Sequence, residues 1–307
     1  MDIKKFTNIV RNNKYIFIAA GILETIRRDD KCTFDKYVGN GLHIYDQNMI
    51  NIYYKLFSDF YNFTDRINVP IIYWSTTWRT NLDRVNKSKA PKTINSDAAN
   101  FLNNWRNNQS DNSDNILFGG VIGSLGDCYK PNSILTRKYA AKHHEWQIES
   151  MINSNFDFLC PITMPSVSEV MGICDLMQNS KMPYIISFVI NSSGKILDGT
   201  SLEDAFKRID SISNNNTPVG YMINCSYPKF LNVSNLSKYV TDRLIGYSAN
   251  ASSKDFSKLD ASNALHKNNI NDWLEGMVDI YYNTHINILG GCCGTDLNYL
   301  KKLFLKL

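Results

Sequence analysis

A chain of 307 residues with 43% hydrophobic and 20% charged residues can build one well-buried α/β domain, and its formal net charge of +4 is small and scattered along the sequence. No Lys/Arg stripe marks a nucleic-acid partner, and no apolar run approaches the roughly 20 residues that cross a bilayer. Seven cysteines, an odd number without a secretory leader, favour a reducing, cytoplasmic setting in which clustered thiols serve metal or catalysis rather than disulfides.

The basic N-terminus ahead of the apolar run Tyr15–Ile22 has the outline of a signal peptide. The run is short and no small-residue cleavage site follows, so a first strand is expected over 15–20 instead. Further apolar runs rich in β-branched and aromatic residues predict strands over 69–74, 116–122, 157–162, 183–190, 219–225, 243–249 and 286–291. Helical periodicity fills the spaces at 48–65, 94–107, 134–153, 166–179, 201–212 and 271–284, with a short helix after Thr295. Ser133, Ser166 and Thr200-Ser201 are start signals for three of these. Alternating strands and helices imply a parallel sheet, and eight such units imply a (β/α)8 TIM barrel formed as one domain over 1–307. An open doubly wound sheet fits less well, because no glycine-rich phosphate loop follows the first strand. The polar connection 249–269 after the seventh strand has the length of a loop that shapes a barrel's active site.

The chemistry-bearing residues gather at strand ends. Cys225 ends the sixth strand, and Cys292 and Cys293 end the eighth, so all three belong to the barrel face where such folds hold their sites. Neighbouring side chains on a regular strand point to opposite faces. The doublet in Gly290-Gly291-Cys292-Cys293-Gly294-Thr295 can turn toward one ion only where glycine releases the backbone from regular geometry. Three thiolates on zinc leave a tetrahedral position open, as in catalytic rather than structural sites. A substrate thiol there would lose its proton at neutral pH and attack an electrophilic methyl group by displacement. Two other readings stay open: a vicinal redox pair, and a barrel that keeps its metal but only binds or regulates. Cys32, Cys128, Cys160 and Cys174 are assigned to loop or core.

GGCCGT with an upstream Asn224-Cys225 resembles the homocysteine S-methyltransferase family, and the resemblance runs over nearly the whole chain. It takes in Glu24-Thr25, Thr77-Trp78-Arg79, Gly123-Ser124 and Gly126-Asp127. A branch of unassigned substrate is similar in further segments: Leu23-Glu24-Thr25, 75–80, 126–131, Ile186-Ser187-Phe188, Tyr221 to Cys225, and 248–252. The resemblance implies a zinc-dependent barrel that transfers a methyl group from a small donor, such as S-methylmethionine or betaine, to homocysteine or a related thiol. It also implies departures. Members acting on homocysteine carry an Asp-Gly-Gly after the first strand and a Glu after the fourth to hold the ammonium group. Here those places hold Ile18-Ala19-Ala20 and Ile162-Thr163.

The remaining polar candidates on this face are Glu24 and Arg79, suited to a substrate's amino and carboxylate groups or to a structural ion pair. Asn224 is a candidate for orienting ligands, and so is Asn250. Asp127 and Tyr129 stand in the loop GDCYKP, either a closing flap or a plain turn. His143, His144 and His266 lack a second ligand at metal spacing and are read as solvated or packing residues, and Trp74 and Trp78 as core. A homo-oligomer is left open.

Overall fold

The structure is a computed structural model and describes residues 3–29, 32–109, 111–131, 135–254, 266–284 and 286–307. Eight parallel strands form one sheet: β1 (Ile16–Ile18), β2 (Ile71–Trp74), β3 (Ile116–Ile122), β4 (Phe158–Pro161), β5 (Ile185–Phe188), β6 (Gly220–Ser226), β7 (Leu244–Ala249) and β8 (Ile288–Gly291). The order β4-β3-β2-β1-β8-β7-β6-β5 is that of a barrel opened at one seam. Isolated bridges Leu159↔Tyr184 and Met164↔Phe188 close that seam, with Leu159 N–H donating to the Pro183 carbonyl at 2.9 Å. The protein is therefore the expected (β/α)8 TIM barrel. All eight strands fall on the expected runs, mostly shorter, because buried apolar residues continue past the ladder.

Alternation along each strand sorts the core into two compartments. Ile16, Ile18, Ile72, Leu117, Phe158, Cys160, Ile185, Met222 and Ile288 fill the barrel interior. Their neighbours Phe17, Tyr73, Phe118, Leu159, Ile186, Tyr221 and Leu289 face the helices outside. The bottom of the barrel is plugged by α1 (Ile3–Asn12), whose Phe6 ring stacks on Phe158 at 4.6 Å. Asn287 ties this plug down through its side-chain amide, which donates to the Val10 and Asn13 carbonyls. The opposite, C-terminal mouth is left for chemistry.

The outer layer contains the expected helices: α3 (Gln47–Arg66), α5 (Ile94–Arg106), α6 (Arg137–Ile152), α7 (Val167–Met177), α8 (Leu202–Asp210), α10 (Ile270–Thr284) and α11 (Leu297–Phe304). Three short ones were not foreseen: α2 (Ile22–Arg27), α4 (Leu82–Ser88) and α9 (Lys238–Arg243). Nor was α1. The three short ones are too brief to announce themselves by period, and α1 begins in the stretch whose basic residues and following apolar run have the outline of a signal peptide. Helix starts follow the capping rule where a side chain is free to turn inward. Asp46 accepts from Asn48 and Met49 at the start of α3, and Ser201 accepts from Asp204 at the start of α8, as expected.

Two starts differ from expectation. Helix α6 begins at Arg137, with Thr136 accepting from Tyr139 N–H, three residues after the expected 134; Ser133 lies outside the described residues. Ser166 sits at the start of α7, but its buried hydroxyl caps nothing; the Val167 N–H donates to Asp198 Oδ2 at 2.7 Å. Among the described residues no helix is long and apolar enough to cross a membrane.

Candidate functional site

The sulfur atoms of Cys225, Cys292 and Cys293 all lie within 4.8 Å of one another at the C-terminal mouth. Two local distortions bring them together. Cys225 has φ 52°, a left-handed conformation rare for a side-chain-bearing residue, and the β6–β7 register slips between Asn224 and Ser226. That bulge turns the thiol, which a regular strand would send outward beside Ile223, toward the barrel axis. At β8 the ladder stops at Gly291, and Cys292-Cys293 form a tight turn that is completed by Gly294 at φ 82°. The turn is pinned by Cys292 N–H to the Ala249 carbonyl (2.7 Å) and by Thr295 Oγ1 donating to the Cys292 carbonyl (2.7 Å).

Asn224 is the hub beneath the sulfurs. It is 1% exposed and uses both ends of its amide. Its Nδ2 donates to Cys225 Sγ (3.1 Å) and to Thr163 Oγ1 (2.7 Å), while its Oδ1 accepts from Thr163 N–H (2.9 Å) and Ser187 Oγ (2.7 Å). Thr163 itself has φ 58°, an unusual state for a β-branched residue that these bonds hold in place. Asn250 joins the two cysteine segments, donating to the Cys225 carbonyl at 2.8 Å and accepting from Cys293 N–H at 3.2 Å.

The three thiols shift one another's proton affinity. Hydrogen bonds from Cys292 and Cys293, helped by Thr163, hold Cys225 well below the ordinary thiol range despite its burial. The same contacts raise the other two. Cys292 rises well above the usual value, and the bond to Cys225 pushes Cys293 up to about 12.

The other sequence candidates fall into distinct places. Glu24, on α2, is paired with Arg28 at 2.5 Å and more loosely with Arg27 at 3.9 Å, the ion-pair arrangement rather than a free carboxylate. Arg27 reaches further, since its charge favours the Cys293 thiolate. Arg79 is exposed, with its methylene chain beside Gly39. Ala19 is buried, and Ile162 packs against the barrel-interior cluster at the mouth. Cys160 fills the interior and Cys174 the outer shell.

Cys128, assigned to loop or core, is buried in the loop that follows β3, and its electrostatic influence reaches Cys225, as that of the clustered thiols reaches Tyr129 beside it. Burial and the charges of Cys225, Cys293, Cys128 and Cys292 raise the Tyr129 phenol well above its usual range. Trp74 packs against the interior core, as expected. Trp78 is only half-buried, and its indole N–H, like the Thr76 hydroxyl, has no hydrogen-bond partner. The residues missed by sequence reasoning are Thr163 and Ser187. The available signal was a hydroxyl placed near the C-terminal end of an otherwise apolar strand run.

The barrel has counterparts among known structures. Solved structures of the homocysteine methyltransferase MmuM from Escherichia coli match closely in shape. The metallated form has a TM-score of 0.74 at 14% identity, covering 98% of this chain and 100% of that one. The oxidized form has a TM-score of 0.69 at 15% identity, covering 95% and 96%. At these identities the likeness speaks for the fold alone. No curated protein matches by sequence. The sequence model of the homocysteine S-methyltransferase family matches residues 68–306, which takes in β2 to β8 and all three clustered cysteines, and the chain belongs to that family.

Proposed function

We propose that this chain is a zinc-dependent S-methyltransferase that moves a methyl group from a small S-methylmethionine-like or betaine-like donor to a thiol. The observation that carries this reading is the cluster of three cysteine sulfurs within 4.8 Å at the barrel mouth. An all-thiol donor set at that spacing fits zinc, and Cys225, Cys292 and Cys293 would hold it with one position left for substrate. Bound there, zinc would supply a Lewis acid that keeps an acceptor thiol deprotonated at neutral pH.

The chain's own residues do the rest. Asn224 aims the Cys225 sulfur, and Asn250 fixes the spacing between the two cysteine segments. The acceptor sulfur's lone pair forms the new S–C bond as the donor's bond to the methyl breaks, so the donor leaves neutral. Such a displacement needs alignment more than it needs a base.

Substrate choice follows from what lines the mouth. An ammonium group buried without a counter-charge costs several kcal/mol. Ile162 and Ala19 offer none, and Glu24 is already engaged by Arg28. The favoured acceptor is therefore a thiol or selenol without an α-amino group.

The test is a side-by-side methylation assay of homocysteine and amine-free thiols, with wild type and Glu24→Gln. Faster turnover of the amine-free thiols supports the reading. Efficient homocysteine turnover that survives Glu24→Gln would overturn the substrate assignment. Zinc retention without any turnover would favour a ligand-binding role instead.

A further inference from the structure

Between α6 and α7 lie a histidine and a carboxylate that the sulfur site does not use. His144 is 0% and Glu169 2% exposed, and His144 Nε2 stands 2.9 Å from Glu169 Oε1. The helices approach this closely because residue 172 is glycine; a Cβ there would collide with the Arg137 carbonyl. With its proton on Nε2, His144 donates to the carboxylate, and its Nδ1 has no partner. The same Glu169 oxygen also accepts the backbone N–H of Leu125 at 2.6 Å.

Leu125 belongs to the loop 123–131, which leaves β3 at the C-terminal mouth. A buried carboxylate is tolerated only where donors converge on it. Here one donor comes from a helix and one from the loop, so the helix pair grips the loop by a charge-assisted bond. Beyond the grip the loop is folded on itself: Tyr129 N–H donates to Asp127 Oδ1 at 2.9 Å, and Lys130 N–H to the Asp127 carbonyl at 3.0 Å. Cys128 is buried and Tyr129 half-buried, and the charges of the three clustered thiols act on the Tyr129 phenol.

We propose that Glu169, oriented by His144, is a positioning residue: by holding the Leu125 amide it sets the loop 123–131 at the barrel mouth, and so controls access to the buried Cys225 and the half-buried Cys292, whereas Cys293 is exposed. This rests on the cluster being the reaction site, but its test requires neither zinc nor a known substrate.

The protein is freed of metal with EDTA under reducing conditions and treated with iodoacetamide, and the alkylation rate of each cysteine is followed by peptide mass spectrometry. Glu169→Leu and Leu125→Pro, which removes the loop's donor and also restricts the backbone there, should each speed alkylation of Cys225 and Cys292 by about tenfold, as expected for loss of one charge-assisted hydrogen bond, while Cys293, already exposed, should change little. Tyr129→Ala should do the same, and the Glu169→Leu/Tyr129→Ala double variant should be no faster than either. Glu169→Gln keeps a carbonyl acceptor and should remain near wild type.

Cys160 and Cys174, fully buried elsewhere, report on the fold and should stay unreactive. If they become reactive in Glu169→Leu, Leu125→Pro decides. Unchanged Cys225 and Cys292 rates in folded Leu125→Pro, or rate gains from Glu169→Leu and Tyr129→Ala that multiply, would overturn the proposal. A protein that binds no zinc would sink the metal reading and leave this outcome intact.

Discussion

Replacing Asn224 by alanine separates the structural from the chemical work of this residue. The side chain is 1% exposed and makes four hydrogen bonds, so the substitution leaves buried partners behind. The Thr163 N–H and the Ser187 hydroxyl lose their shared acceptor. Two stranded donors at about 1–3 kcal/mol each give a loss of about 2–6 kcal/mol, partly relieved where the Ser187 hydroxyl rotates to another acceptor. Since Thr163 is held at φ 58° by the same amide, the upper half of that range is expected. A loss of this size is a large part of the roughly 5–15 kcal/mol that holds a domain folded.

Asn224→Asp divides the effect. It keeps the acceptor for Thr163 and Ser187 but sets a carboxylate oxygen where the amide donated to Cys225 Sγ. Stability should then fall by less, while zinc affinity drops by about 10- to 100-fold, as for other groups that orient a metal's ligands. Urea unfolding and zinc competition with a chelator measure the two quantities. A destabilisation below about 1 kcal/mol for Asn224→Ala would refute the unsatisfied-donor argument. Unchanged zinc affinity in Asn224→Asp would show that the Cys225 contact does not shape the site.

Three further outcomes are expected. Purified under reducing conditions the protein should hold about one zinc per chain; Cys225→Ser, Cys292→Ser or Cys293→Ser should lose most of it and Cys174→Ser should not, as read by elemental analysis. Zinc affinity should fall with pH between about 8 and 6.5, because ligand thiols must be deprotonated and the contacts to Cys225 hold the Cys292 and Cys293 thiols above the ordinary thiol range. A flat chelator titration over that range would contradict thiolate ligation. Finally, Ala19→Asp combined with Ile162→Glu should lower the KM for homocysteine relative to amine-free thiols, because a carboxylate would then face the ammonium group; an unchanged ratio of kcat/KM values would show that these positions do not read it.

Much of this protein was determined by its sequence alone. Eight apolar runs spaced by helical stretches specify a parallel barrel, because strands buried on both faces must be almost continuously hydrophobic. The three cysteines were legible for a related reason. They stand at strand C-termini, and in a barrel all those ends meet at one mouth.

Only the tertiary structure decided how the sulfurs converge. The left-handed turn at Cys225 and the slipped β6–β7 register are not written in Met222-Ile223-Asn224-Cys225, where Asn224 reaches Ser187 on the neighbouring β5 and Thr163 in the segment that follows β4. The same holds for His144, read as solvated or packing, and Glu169, which are 25 positions apart and meet only where two helices pack and bury them. Periodicity reports which face of an element is buried. It carries no information on which buried polar group meets which, because that pairing is set by contacts between segments distant in the chain.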